Sequence, residues 1–223
     1  MPATEAAPRY LIRNALLYDG DCETGYTADL LVEDGKIAAV SRTPLPEPAG
    51  ARVIDATGKW VTPGFIDIHT HYDAEVEINP GLSESLRHGV TTVSMGSCGL
   101  SLVMGTPDDL ADMFTRVEGI PSDYVKGLLR EVKDWDGPGD YWAHLGRLPL
   151  GPNLASFVGH STIRAAAMGM ERSLSTGNEP TREEMARMDG SLQEALDAGF
   201  LGLSLNLLHY DRMDGDRYRS RPT

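Results

Sequence analysis

Cysteine is scarce in this chain, and so is positive charge. Two cysteines among 223 residues, Cys22 and Cys98, cannot build the disulfide framework of a small secreted protein, so each thiol needs another explanation, packing or metal. A reducing, cytoplasmic compartment is therefore expected. Twenty basic residues face thirty-three acidic ones, for a formal net charge of −13. That balance argues against a nucleic-acid surface and against docking on an anionic membrane. No apolar run reaches membrane-spanning length, and Met1 to Arg9 lacks a basic region followed by an apolar one, so no signal peptide is read there. Internal repeats and long low-complexity segments are also missing.

What is present falls into two kinds of pattern. Residues up to about 61 read as short strands: Tyr10 to Tyr18, Ala28 to Val32, Lys36 to Val40 and Val53 to Ala56. Asp34-Gly35 between the second and third is a strong hairpin signal. Pro44, Pro46 and Pro48 form a stiff connector. This segment predicts a small antiparallel unit, too thin to bury its faces alone.

From residue 62 the pattern changes to strands alternating with helices. An apolar run from Trp60 leads into Ile68, and Val90 to Met95 is a β-branched strand. Thr106-Pro107-Asp108-Asp109 carries a capping threonine, proline at the first helical position and a carboxylate at the third. Ser122 to Val132 is amphipathic. Asp134 to Pro152 is rich in glycine, proline and aromatics, and the aromatic loop around Trp135 to Trp142 reads as a packed lid or satellite core. Ala155 to Val158 predicts a buried strand, Thr181 to Glu184 a capping box, and Met185, Met188, Leu192, Ala195 and Leu196 one face of the helix that follows. Phe200 to Leu208 is the last strand. Four strand–helix units of this kind predict an α/β architecture: the N-terminal half of a (β/α)8 TIM-like barrel over 62–223, preceded by the small β unit over 1–61. A complete barrel takes about 250 residues. The remainder is expected on a second polypeptide or on a part of the chain cut away.

The chemistry concentrates where strands end. His69 and His71 leave the first strand one residue apart, a spacing that aims both imidazoles to one side of an extended segment. Two such rings suit a divalent metal such as zinc. Asp67 and Asp73 flank the pair and are placed to orient the rings. Cys98 follows the second strand within Gly96-Ser97-Cys98-Gly99, and His160 follows the third. In a parallel barrel these ends converge on one mouth. A thiolate with two imidazoles is a zinc-favouring set. His160 is open to two readings: a contact to substrate, or a structural histidine tied to Arg164 or backbone. His88 reads as the end of a helix. His144 and His209 read as surface or loop residues, although His209-Tyr210 follows the fourth strand and a substrate contact there stays open.

The stretch Pro63-Gly64-Phe65-Ile66-Asp67-Ile68-His69-Thr70-His71 resembles the first-strand signature of the amidohydrolase superfamily. His88-Gly89-Val90-Thr91-Thr92-Val93, Gly96-Ser97-Cys98-Gly99, Val158-Gly159-His160-Ser161-Thr162-Ile163-Arg164 and Ala198 to Ser204 are similar to the D-aminoacylase branch, the N-acyl-D-amino-acid deacylases. The resemblance covers nearly the whole chain and implies roughly the N-terminal half of such an enzyme, with 1–61 as part of a small β-sandwich domain that residues beyond the barrel would complete. It implies that His69, His71 and Cys98 bind one or two zinc ions, with the thiolate where most superfamily members use a carboxylated lysine on the fourth strand. Phe200 to Leu208 holds neither Lys nor Glu, which agrees. It also implies that two further histidines and the general-base aspartate lie outside this chain, and that the substrate is an N-acyl-D-amino acid, or a related N-acyl or N-formyl amide, cut by metal-activated water. His160 would then meet the acyl oxygen or the substrate carboxylate. Two alternatives are a cyclic-amide hydrolase of the dihydroorotase type and a metal-free, non-catalytic assembly protein of the same shape. An oligomer is compatible with each.

Overall fold

The structure is a computed structural model; it describes residues 8–21, 23–207, 212–213, 215–219 and 221. Cys22, His209 and Tyr210 lie outside the described residues. The chain divides into two compact units, Met1–Gly64 and Phe65–Thr223.

The first unit is a single sheet. Strands β1 (Tyr10–Leu17), β2 (Tyr26–Glu33) and β3 (Lys36–Ser41) form an antiparallel meander, closed between β2 and β3 by Asp34 and Gly35. Asp34 takes the left-handed conformation (φ 50°) that a tight hairpin needs. The sheet is not wholly antiparallel as expected. β4 (Arg52–Asp55) and β5 (Trp60–Val61) both pair parallel to β1, giving the order β3-β2-β1-β4 with β5 alongside β4 on β1. The proline connector allows this, because its length carries the chain back across the sheet instead of turning it in a hairpin. The apolar face closes over Ala15, Leu17, Ala28, Leu30 and Ala56.

The second unit alternates. β6 (Phe65–Asp67) leads through α1 (Glu75–Ile78) and α2 (Ser83–Arg87) to β7 (Val90–Met95). Next come α3 (Pro107–Glu118), α4 (Ser122–Val132) and α5 (Pro138–Leu145), then β8 (Asn153–Ser156) and β9 (Val158–Gly159). The chain continues through α6 (His160–Met168), α7 (Met170–Ser173), α8 (Arg182–Ala198), β10 (Leu203–Ser204) and α9 (Gly215–Tyr218). β6, β7 and β8 pair parallel in chain order, and β9 pairs parallel with β10. The segment expected as one strand, Ala155 to Val158, is broken at Phe157. There the ladder changes partner: Phe157 N–H donates to Met95, while Val158 N–H donates to Gly202. This is a mixed α/β unit.

Local chemistry explains the helix boundaries. The Thr106 side chain accepts from Asp109 N–H at 3.2 Å, with proline at the first helical position, and Gly119 ends α3 in a left-handed turn. Thr181 and Glu184 make the reciprocal capping box of α8, at 3.2 and 2.7 Å. Removing the threonine hydroxyl leaves a helix N–H without its partner. Thr181→Ala is expected to cost about 1 kcal/mol in urea unfolding. On α8, Met188 and Ala195 are buried and Leu192 packs on the core, whereas Met185 and Leu196 flank that face and stay exposed. Asp134 to Pro152 is not a loop throughout. Pro138 starts α5, and Tyr141 and Leu145, one turn apart, are buried with Trp135 in the main core around Met95, Phe114, Leu129 and Ile163. Trp135 Nε1–H donates to the Leu102 carbonyl at 2.8 Å, so the indole is satisfied where it is buried. Among the described residues, no helix is long and apolar enough to cross a membrane.

Candidate metal centre

The histidine pair lies just beyond β6, on a segment that keeps its extended path because Thr70 continues the pairing with β7. Thr70 N–H and its hydroxyl both donate to the Ser94 carbonyl, at 2.9 and 2.7 Å. Thr70 is buried, so its neighbours His69 and His71 project to the opposite side, as alternate residues of an extended chain do. Their ring centroids are 5.4 Å apart. Cys98 approaches from the end of β7, in a left-handed conformation (φ 55°) between Gly96 (φ 72°) and Gly99 (φ 79°). Its Sγ lies 3.3 Å from His69 Nε2. One donor atom from each of His69, His71 and Cys98 lies within 4.8 Å of the others, so residues 27 and more positions apart share one site.

The donors fit a metal. Zinc–nitrogen and zinc–sulfur distances of about 2.0–2.1 and 2.3 Å place tetrahedral N and S donors about 3.5 Å apart, close to the separation found here. Imidazole plus thiolate is the ligand chemistry that favours zinc over magnesium or calcium.

The remaining expectations fare differently. The carboxylates of Asp67 and Asp73 both accept from backbone amides. Asp67 accepts from His69 N–H at 3.2 Å. Asp73 is fully buried and accepts from Gly96 N–H at 3.2 Å, tying the histidine loop to the cysteine turn. Burial pushes the Asp73 carboxyl up to about 7; the backbone N–H groups of Gly96, Asp73 and Leu102 oppose this, and the Glu77 charge adds to it. A folded-state pKa above the unfolded value of 3.8 means the associated stability is complete below about pH 4 and is lost as pH rises toward 7. In metal-free protein, Asp73→Asn is therefore expected to flatten the fall in unfolding midpoint between pH 4 and 7.

His160 opens α6 and faces a cavity of about 170 Å³ with Ser161, Arg164, Met170 and Asn206. Desolvation first, and the Arg164 charge second, hold its pKa below the ordinary value. A separate cleft of about 220 Å³ is lined by His69, Ser97, Cys98, Phe157 and Ser204. Leu205 lines both, so the two openings adjoin.

His144 is not a surface residue. It is buried, with Nδ1 2.7 Å from Asp134 and Nε2 2.8 Å from Glu77, and its ring meets that of Trp135 at a tilt of 46°, centroids 4.5 Å apart. Its placement on the buried side of α5, one turn from Tyr141, was the sequence signal for this. Ser204 was also passed over. Its hydroxyl donates to the Gly96 carbonyl at 2.5 Å and accepts from Gly99 N–H at 3.0 Å.

Comparison with known proteins follows these features. The sequence profile of the amidohydrolase family matches residues 52–219, which include all three donors. The chain belongs to the amidohydrolase family. An uncharacterized protein of Mycobacterium tuberculosis is 48% identical over 95% of the chain, and an N-acyl-D-aspartate deacylase of Alcaligenes xylosoxydans xylosoxydans is 33% identical over 87%. A crystal structure of N-acyl-D-glutamate deacylase from Bordetella bronchiseptica, complexed with zinc and a phosphonate mimic of the tetrahedral intermediate, superimposes on 89% of the chain with a TM-score of 0.68 at 33% identity. This amidohydrolase chain spans about a third of their lengths: 34%, 36% and 38% respectively.

Proposed function

We propose that this chain carries the first half of the barrel and of the metal shell of a zinc-dependent deacylase acting on N-acyl-D-amino acids or closely related N-acyl or N-formyl amides. The observation that carries the reading is the convergence of His69, His71 and Cys98. The resemblance to N-acyl-D-aspartate and N-acyl-D-glutamate deacylases supports the substrate class.

His69, His71 and Cys98 would hold one or two zinc ions, which supply Lewis acidity toward the amide carbonyl and acidify a water. The protein's part is geometric. The Thr70 pairing fixes the two imidazoles, the Cys98 turn brings the thiolate against them, and Asp73 locks one segment to the other. His160, with its pKa held low, is neutral at physiological pH and suited to hydrogen-bond a carbonyl or carboxylate of the substrate from the adjoining cavity. The general-base aspartate that the family resemblance implies would come from further barrel strands, on a second polypeptide or on more of the same one. Exposed side chains support this completion. Phe65 and Ile66 point to opposite faces of β6 and are 61% and 65% exposed, and Leu203 and Leu205 at β10 are 42% and 57% exposed. Strands of parallel sheets are ordinarily covered on both faces.

Zinc analysis of the intact protein, together with turnover of a panel of N-acetyl and N-formyl D- and L-amino acids, tests the reading. Stoichiometric zinc and preference for the D-series are expected. Hydrolysis of dihydroorotate or a hydantoin in their place would assign the cyclic-amide alternative, and a stably metal-free, inactive protein the non-catalytic one.

A further inference from the structure

Cys98 occupies an uncommon backbone. Residues 96, 98 and 99 all have positive φ, and Cys98 is the one among them that carries a side chain. The left-handed conformation disfavours residues with a Cβ, so something outside the turn must hold it. The turn's two ends are held from the same point. Ser204 Oγ–H donates to the Gly96 carbonyl at 2.5 Å, and the same oxygen accepts from Gly99 N–H at 3.0 Å. Ser204 is more than one hundred residues away in sequence, on β10, which is itself fixed to β9 by the Ser204–Gly159 register. A third tie, Ser161 N–H to the Gly99 carbonyl at 2.8 Å, anchors the same end to α6. Cys98 Sγ thus reaches His69 from a turn that β10 and α6 clasp together.

We propose that Ser204 is a positioning residue: its hydroxyl spans the Gly96–Gly99 turn and holds Cys98 Sγ at the imidazoles of His69 and His71. It acts through Cys98 and is not itself a ligand. The hydroxyl is suited to this because it donates and accepts at one atom, and the turn offers one carbonyl and one N–H. Alanine at this position leaves both backbone groups without that partner. The turn is then free to relax, and the sulfur leaves the donor set. The metal part of the claim rests on the zinc reading above; the geometric part does not.

The experiment compares Ser204→Ala, Ser204→Thr and Ser204→Val in the intact protein. Thr and Val have nearly the same shape and differ in the hydroxyl. Zinc affinity is read by chelator competition, and the sulfur ligand by the thiolate-to-cobalt charge-transfer band after Co(II) substitution. The Ala and Val variants are expected to lose about 10- to 100-fold in zinc affinity, the range for residues that orient metal ligands, and to weaken the cobalt band. The Thr variant should keep both. Equal zinc affinity and equal bands in Thr and Val would overturn the proposal, whatever the fate of the Ala variant. If the unaltered protein takes up no zinc, the zinc reading fails on its own. Iodoacetamide labelling of Cys98 in metal-free protein, located by peptide mass analysis, then still decides the role of Ser204. Labelling should be faster in Val than in Thr, and equal rates would refute the positioning role.

Discussion

On the proposed function, Cys98→Ala is expected to leave the protein folded, to abolish zinc binding and to lower N-acyl-D-amino acid hydrolysis by about a thousandfold or more. The fold should survive because Cys98 is only half-buried and lies outside the main core. The activity should not. A metal that contributes several kcal/mol of charge stabilisation corresponds to a factor of about 10³ in rate, at 1.36 kcal/mol per decade. Two imidazoles without the thiolate leave an incomplete set, and the sulfur is the donor that favours zinc. Metal content by elemental analysis and the unfolding midpoint, measured on the same preparation, check the two halves of this expectation. A variant that retains stoichiometric zinc would show that the site is built elsewhere.

Gly96→Ala should be the most damaging single substitution near the site. A Cβ at residue 96 would lie 2.0 Å from the Phe157 carbonyl oxygen and 2.9 Å from its carbon, and both are backbone atoms that cannot rotate away. The position also has φ 72°. Left-handed strain costs about 1–2 kcal/mol and overpacking about 1–3 kcal/mol more. The sum, about 2–5 kcal/mol, is a large share of a domain's stability of about 5–15 kcal/mol. Gly177→Ala separates the two causes: φ is 83° there, but nothing lies within 4 Å of the added carbon. It should lose only the strain, about 1–2 kcal/mol. Chemical denaturation of both variants measures the difference. Equal losses would mean that Phe157 yields and that the close approach of β7 to the β8–β9 break is not a constraint.

These two positions also show what could be read from the sequence and what could not. Signals that act within a few residues were legible. The capping chemistry at Thr106 and Thr181 marks true helix starts, and Val90 to Met95 is a strand over the same six residues. The meeting of His69, His71 and Cys98, the candidate metal donors, was legible because each sits at the end of a strand whose pattern is itself local, and parallel strands carry their ends to one side. Contacts set by distant pairing were not. β4 and β5 join β1 in parallel across a connector whose composition says nothing of direction. Of the apolar run from Phe200 to Leu208, only Leu203 and Ser204 enter the described ladder, because β9 offers just two residues to pair with. His144 became a buried hydrogen-bonded group through Glu77, sixty-seven residues earlier. Sequence proximity suggested imidazole partners for Asp67 and Asp73, and it gave no sign that both carboxylates accept from backbone N–H groups.

X-ray absorption at the zinc edge of the intact protein tests the central claim most directly. One sulfur scatterer at about 2.3 Å, with nitrogen or oxygen neighbours at about 2.0–2.1 Å, is the predicted shell, and its sulfur component should vanish in Cys98→Ala. A zinc shell made only of nitrogen and oxygen in the unaltered protein would contradict the account.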